Sequence, residues 1–248
     1  MYRELGPPEL RRLLGLEVED LPEVLLLVGI FDVEHGAKRF ARYLDDSAQH
    51  LRFPSYRGTY KGRRVAVAAA LGGPMAAMHV HTWAGAGVPV VVQLGWYGAL
   101  QAGTNLGDVV VPSHAEREDG VSDWYLSKGI LADASPALCD AIAAQLSARQ
   151  ITVGRKAIYS TSALLAESRE VIADWGRHGW HGVDMETAAT FAVAKSLGAQ
   201  RAAALIRIDD LVAEDHSLAE EPPELSRKIL REREREVMHA VLDAVFSS

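Results

Sequence analysis

Residues 89–100 read Pro89-Val-Val-Val-Gln-Leu-Gly-Trp-Tyr-Gly-Ala-Leu100, and this stretch decides the fold class. Its first half is an almost continuous apolar run after a proline, which is typical of a buried strand. Its second half is rich in glycine, and ligands of open α/β sheets bind beyond the carboxyl ends of the strands. We therefore predict a buried strand over residues 89–94, followed by a segment that contributes to a binding site.

Strand-like and helical segments alternate on both sides of this stretch. Further apolar runs, each bounded by glycine, proline or charge, occupy residues 24–28, 65–70, 109–111 and 202–208. Apolar residues recur at helical spacing over residues 74–86, 135–148 and 185–197. The alternation predicts an α/β fold, in which helices cover both faces of a central and largely parallel sheet. We also predict a hairpin over residues 56–67 and an amphipathic helix that begins near Pro222.

The composition is that of an ordinary globular protein. Of the 248 residues, 48% are hydrophobic and 24% are charged, and no linker divides them, so we predict one domain over residues 1–248. The net charge of −7 argues against binding to nucleic acid. Cys139 is the only cysteine, which excludes a disulfide within the chain. Residues 1–16 lack the apolar stretch of a signal peptide, and no apolar run is long enough to span a membrane. We therefore expect a cytoplasmic protein.

Five segments combine glycine or carboxylate residues with a position after a predicted strand or at a helix start. They are residues 29–33, 72–74, 95–100, 182–186 and 209–210. Their order and spacing, together with residues 107–112 and 117–120, resemble the nucleoside phosphorylase family, which includes uridine phosphorylase and hexameric purine nucleoside phosphorylase. The resemblance implies a single α/β domain around a mixed, barrel-like central sheet flanked by helices. It also implies a homo-oligomer, a dimer or a hexamer, whose active sites are shared between subunits.

Asp184-Met185-Glu186 is similar to the family's Glu-Met-Glu signature, with Asp in the first place. The resemblance implies that Glu186 holds the 2′- and 3′-hydroxyls of ribose while Met185 packs on the apolar face of the sugar. A carboxylate suits this place, because cleavage of a ribose–base bond builds positive charge on the sugar. We therefore predict a nucleoside substrate, with Glu186 as a catalytic carboxylate and Asp184 in the same site.

The base of this nucleoside is left open by the sequence. Asp210 matches an Asp of the purine branch that is implied to protonate N7 of the leaving base, and a second carboxylate at Asp209 is expected to help it hold a proton. Asp209 itself departs from the family, as does Ala213, where the purine branch has an Arg. Residues 14–16, Leu-Gly-Leu, instead resemble the lead-in of the uridine branch.

Two further segments are candidates for contact with the base. Gly95-Trp96-Tyr97-Gly98 resembles the family's Gly-Ser/Thr-x-Gly turn, so Gly95 and Trp96 are predicted to contact the substrate. The family's base-stacking Phe is absent from the region around Tyr159. Tyr159 or Trp96 is therefore predicted to stack on the base instead.

The family's phosphate site is where this sequence departs most. Gly29 is retained from the first loop, but Val33 and Gln93 stand where the family has arginines, and Trp96 stands where it has a hydroxyl. Loss of two charge-assisted hydrogen bonds corresponds to about 3–6 kcal/mol of phosphate binding. Only Arg52 matches the Arg of a neighbouring subunit, with a one-residue gap.

Three functions follow from these departures. A nucleosidase would use water oriented by Asp32 or Glu34, a phosphorylase would use an anion site rebuilt around Arg52 or Arg57, and a non-catalytic nucleoside-binding protein would have its cavity filled by Trp96. The weakened phosphate site favours hydrolysis among the three.

No metal site or cofactor is predicted. His79 and His81 are two residues apart on a predicted helix and face different ways. His178 and His181 lie in a loop that offers no third ligand.

Overall fold

A computed structural model describes residues 5–50, 54–213 and 223–247. Within these ranges the α-helices are α1 Pro7–Leu14, α2 Val33–Ala41, α3 Gly73–Ala86, α4 Pro136–Ala148, α5 Arg169–Arg177, α6 Thr187–Ser196 and α7 Glu224–Phe246. The strands are β1 Val24–Gly29, β2 Asp45–His50, β3 Ser55–Tyr60, β4 Arg63–Ala70, β5 Val90–Ala99, β6 Val109–Val110, β7 His114–Glu118, β8 Ala132–Asp133, β9 Val153–Gly154, β10 Ile158–Thr161, β11 Gly182–Asp184 and β12 Gln200–Asp210.

The strands form one mixed sheet that branches at β5. The main path runs β2-β3-β4-β1-β5-β11-β10-β7-β8, and β12 pairs with β5 and leads to β6 and β9. β5 is parallel to β1 and to β12 but antiparallel to β11. On one edge of β5, β1 pairs with the first half of the strand and β11 pairs with its end. On the other edge, β12 pairs with the whole length of β5. Because β11 is antiparallel to β5, its carboxyl end at Asp184 points back along β5 toward the end of β1.

Helices cover both faces of this sheet. In β1, Leu26 and Val28 pack into a core with α2, α4 and α7, whereas Leu25 and Leu27 pack into a second core with α1 and α3. This alternation follows from the two-residue period of a strand whose faces are both buried. α6 contributes to both cores. The predicted α/β class is confirmed.

Two strands run further than the sequence predicted. β5 continues through Ala99 and β12 continues through Asp210, so residues 95–99 and 209–210 lie within strands rather than after them. The two strands pair with each other along their length, and this pairing overrides the low strand propensity of glycine. Residues 182–184 likewise form a short strand, and α6 begins at Thr187 instead of Met185.

The predicted hairpin and terminal helix are both present. Lys61 and Gly62 form the tip between β3 and β4 with φ of 51° and 77°, as a tight two-residue hairpin turn requires. α7 begins at Glu224, while Pro222 lies outside the described residues. None of the helices in the described ranges is long and apolar enough to cross a membrane.

Candidate active site

A buried carboxylate, Asp184, anchors the candidate site at the end of β11. Its oxygens accept hydrogen bonds from Gln93 Nε2 at 2.9 Å, from Ser160 Oγ at 2.6 Å, and from the backbone N–H and hydroxyl of Thr187. Burial raises the pKa of the Asp184 carboxyl, and these hydrogen bonds oppose the rise. The network joins β5, β10, β11 and the first turn of α6, so it fixes the turn between β11 and α6.

Glu186 lies on that turn and is held by glycine backbone. Its Oε1 accepts a hydrogen bond of 2.6 Å from the N–H of Gly72, and only 6% of the residue is exposed. A Cβ atom on Gly29 would lie 2.6 Å from Oε2 of Glu186, so a side chain at position 29 would displace the carboxyl. Burial raises the pKa of Glu186 to about 8, and the neighbouring Asp184 carboxylate adds to the rise.

A cavity of about 220 Å³ adjoins the same turn. The residues that line it are Gly98, Leu164, Glu167, Ile172, Val183, Asp184, Met185, Asp209 and Leu211. Met185 also reaches toward Gly72, because its Cε lies 3.8 Å from the position that a Cβ of Gly72 would take. Among the described residues, the lining offers apolar surface and carboxyl groups but no Lys, Arg or His. It therefore suits a mostly apolar ligand that presents hydrogen-bond donors.

Asp209 and Asp210 are adjacent in β12 but have different surroundings. Asp209 lines the cavity, whereas Asp210 pairs with Arg207 at 2.8 Å and accepts hydrogen bonds from the N–H groups of Val212 and Ala213. A register shift between Arg207 and Asp209 accompanies this arrangement. Arg207 thus supplies a guanidinium that the sequence lacked at position 213. Asp210 caps the turn after β12 and is not among the residues that line the cavity, and its role as proton donor stays a prediction.

Glu167 is a cavity residue that the sequence did not indicate. It follows the short 3₁₀ turn Leu164–Ala166 and lines the cavity together with Asp209. Burial raises the pKa of Glu167 to about 7, and the charge of Asp209 adds to the rise. Its Oε1 is buried without a hydrogen-bond partner among the described residues. Glu167 belongs to no motif, since packing of a turn against the sheet brings it to Asp209.

Comparison with known protein families covers nearly the whole chain. The family model described as the phosphorylase superfamily matches residues 17–247. The chain belongs to the phosphorylase superfamily. A guanosine phosphorylase of Halorubrum lacusprofundi is 33% identical over 232 residues, which are 90% of this chain and 92% of the relative. A purine nucleoside phosphorylase DeoD-type 2 of Vibrio cholerae is 30% identical over 169 residues, which are 67% of this chain and 71% of the relative.

Solved structures of the phosphorylase superfamily share the fold. The crystal structure of uridine phosphorylase from Vibrio fischeri matches with a TM-score of 0.81 at 23% sequence identity, and the match covers 93% of this chain and 94% of that chain. The family and the mixed-sheet α/β fold predicted from the sequence are therefore confirmed.

In this member of the phosphorylase superfamily, Trp96 packs toward α2. Its ring meets that of Phe40 edge-on at a centroid distance of 6.2 Å, and the guanidinium of Arg39 lies 5.4 Å from its centre. Trp96 is not one of the residues that line the cavity. Side chains alternate along β5, so the neighbouring Gly95 faces the other way and lies against the backbone of Gly29. Trp96 thus packs against α2 and does not fill this cavity, and its contact with a substrate stays a prediction.

Tyr159 also lies outside the cavity lining. Its ring stacks on that of Trp175, with 4.4 Å between the centroids. Trp175 thus covers part of the Tyr159 ring. The base-stacking role of Tyr159 stays a prediction.

The positions predicted for phosphate carry other interactions. Gln93 donates to Asp184 from its Nε2, and its buried Oε1 has no hydrogen-bond partner in the described part of the chain. Val33 packs against the core on the α2 side of the sheet. Arg52 lies outside the described residues. The phosphate contact predicted for Arg52 therefore stays a prediction.

Asp32 and Glu34 do not converge on the cavity. Asp32 caps α2 by accepting a 3.1 Å hydrogen bond from the backbone N–H of His35, and its side chain is 61% exposed. Glu34 is exposed on the first turn of α2. Both carboxyls face solvent in this single chain, and the orientation of an attacking water by one of them stays a prediction.

Asp184→Ala is expected to lower the free energy of unfolding by about 2–4 kcal/mol, because it leaves buried donors of Gln93, Ser160 and Thr187 without an acceptor. Urea titration of the purified variant measures this change. Asp140→Ala is the control, since the Asp140 side chain is 75% exposed and its loss is expected to change stability by less than about 0.5 kcal/mol. An equally small effect of both substitutions would contradict the anchoring role of Asp184.

Proposed function

We propose that this protein cleaves the N-glycosidic bond of a nucleoside. The proposal rests on the placement of Met185, which lines the cavity, beside Glu186, whose carboxyl lies against Gly29 and Gly72. A carboxylate at this place would hold the sugar hydroxyls and favour the positive charge that develops on the ribose. Relatives named guanosine phosphorylase and purine nucleoside phosphorylase support the same class of reaction.

Each residue of the turn has its own part in this proposal. Glu186 binds the ribose hydroxyls in its ionised form, Met185 packs on the sugar, and Asp184 positions the turn through its hydrogen bonds. Gly29 leaves room for the Glu186 carboxyl. Gly95 contributes a strand surface without a side chain next to Gly29.

We propose water as the group that attacks the sugar. A phosphate dianion presents acceptor oxygens and is bound best by charged donors, whereas the Gln93 amide is neutral, uses one of its two N–H groups on Asp184 and has a buried carbonyl oxygen without a partner among the described residues. Val33 likewise offers neither a charge nor a donor. Phosphorolysis is the second candidate, and it is supported by the names of the relatives.

A panel of nucleosides tests the proposal directly. The purified protein is incubated with guanosine, inosine, adenosine and uridine, with and without phosphate, and free base is measured by chromatography. We expect release of base from at least one nucleoside. Absence of release from every nucleoside under both conditions would refute the proposed activity.

We also propose that the protein is a homo-oligomer. Large apolar side chains are exposed on the single chain, with Trp124 at 86%, Leu165 at 94% and Phe31 at 61%, and such surfaces often mark contacts between proteins. Light scattering coupled to size exclusion is expected to give the mass of a dimer or a hexamer at micromolar concentration. The mass of one chain would contradict this expectation.

A further inference from the structure

The lining of the cavity also contains a pair of carboxyl groups that the roles above do not use. Asp209 reaches the cavity from β12, and Glu167 reaches it from the turn before α5. The two side chains are close enough for the charge of Asp209 to act on Glu167. Such a pair disfavours ionisation of both groups at once.

Glu167 is the member of the pair whose surroundings favour the protonated form. Its Oε1 is buried without a hydrogen-bond partner in the described part of the chain, so no donor there stabilises a charge on that oxygen. Burial, followed by the charge of Asp209, raises the pKa of Glu167 to about 7. The other charged group of the lining is Asp184, and the remaining lining residues of β5, β11, α5 and the neighbouring loops are uncharged. None of the lining residues that the structure describes therefore favours the ionised form of Glu167 by its charge.

A departing nucleobase needs a proton at this place. Breaking the bond between C1′ and the base nitrogen leaves an electron pair on the base, and a proton delivered to the base as it leaves lowers the barrier. A donor works best when its affinity for the proton is matched to neutral pH. Glu167 and Asp209 line the cavity, whereas Asp210 pairs with Arg207 and is not among the lining residues.

We propose that Glu167 donates a proton to the departing base, with Asp209 as the neighbour that favours its protonated form. The inference rests on the proposed nucleoside cleavage. In the step, the bond from C1′ to the base nitrogen breaks, its electron pair goes to the base, and the base takes the proton of Glu167. Water forms the new bond to C1′, and the proton that this water loses restores Glu167.

Comparison of two leaving groups tests this role. Guanosine or another cleaved nucleoside requires a proton on its base, whereas 4-nitrophenyl β-D-ribofuranoside releases a phenolate that is stable without one. Glu167→Gln is expected to lower kcat/KM for the nucleoside by roughly 10²–10⁴-fold and to change kcat/KM for the nitrophenyl riboside by less than about threefold. Glu170→Gln, at an exposed site on α5, is the matched control and is expected to leave both substrates unchanged.

The pH dependence gives a readout that a structural role would not change. For the wild type, nucleoside cleavage is expected to fall at alkaline pH as Glu167 loses its proton, and Glu167→Gln is expected to remove this fall. Asp209→Asn is expected to shift the fall to lower pH, because Glu167 releases its proton more readily without the neighbouring charge. Circular dichroism and thermal unfolding check that the variants fold.

The outcomes separate this inference from the proposed function. If the wild type cleaves neither a nucleoside nor the nitrophenyl riboside, the proposed function is refuted, and the role of Glu167 is refuted because it depends on that function. If the wild type cleaves both and folded Glu167→Gln slows both equally, or keeps the alkaline fall, the inference alone is overturned.

Discussion

Glu186→Gln is expected to lower kcat/KM for nucleoside cleavage by on the order of 10²–10³-fold. The substitution keeps the shape of the side chain and removes the negative charge that would face the developing positive charge on ribose. It also exchanges one hydroxyl-binding oxygen for an N–H group, which cannot accept a hydrogen bond from the sugar. Release of base from the best nucleoside substrate, followed by chromatography, measures the effect.

The same variant is expected to fold normally. A glutamine Oε1 can still accept the hydrogen bond that Glu186 takes from Gly72, and a neutral side chain suits a site whose burial raises the pKa of Glu186 to about 8. Thermal unfolding is therefore expected to occur at or above the wild-type temperature. Glu170→Gln is the control, because Glu170 is exposed on α5 and belongs to none of the predicted site residues. Unchanged turnover of the nucleoside by folded Glu186→Gln would show that Glu186 has no catalytic role.

The pH dependence of sugar binding follows from the same residue. Since the pKa of Glu186 is raised to about 8 in the unliganded protein, most of the carboxyl is protonated at pH 7. Ribose hydroxyls donate to the ionised form, so nucleoside binding is expected to strengthen as the pH rises toward 8. This dependence is expected to disappear in Glu186→Gln.

The strands and helices could be predicted from the sequence because their signals are local. The apolar runs at residues 24–28 and 65–70 became β1 and β4, and the helical spacing over 74–86 became α3. The ends of β5 and β12 could not be predicted, because glycine and aspartate are poor strand formers and only the pairing of these two strands extends them.

The candidate site was predictable where its residues are consecutive. Asp184, Met185 and Glu186 form one motif, and their shared position on one turn was expected from the resemblance. Glu167 and Asp209 are brought together by packing between segments that are distant in the sequence, so the spacing of the residues does not predict their proximity. Such a pair is recognised only from the three-dimensional structure.

The absence of arginines at positions 33 and 93 determines how strongly phosphate is expected to bind. Val33 packs into the core and Gln93 binds Asp184, so neither is available to neutralise a phosphate dianion. A dianion must shed much of its hydration to reach the sugar, and an unpaired charge in a buried site is costly. The loss of about 3–6 kcal/mol from two charge-assisted bonds corresponds to roughly two to four decades of phosphate affinity.

Phosphate is therefore not expected to accelerate the release of base. With the best nucleoside, the rate is expected to stay constant from zero to about 10 mM phosphate, and the sugar product is expected to be free ribose rather than ribose 1-phosphate. Sodium sulfate at matched ionic strength controls for salt, and chromatography of the sugar identifies the product. Saturable stimulation by phosphate would show that another cation has replaced the lost arginines. Arg52→Ala and Arg57→Ala would then identify that cation, because only the variant that lacks it would lose the stimulation while hydrolysis in phosphate-free buffer continues.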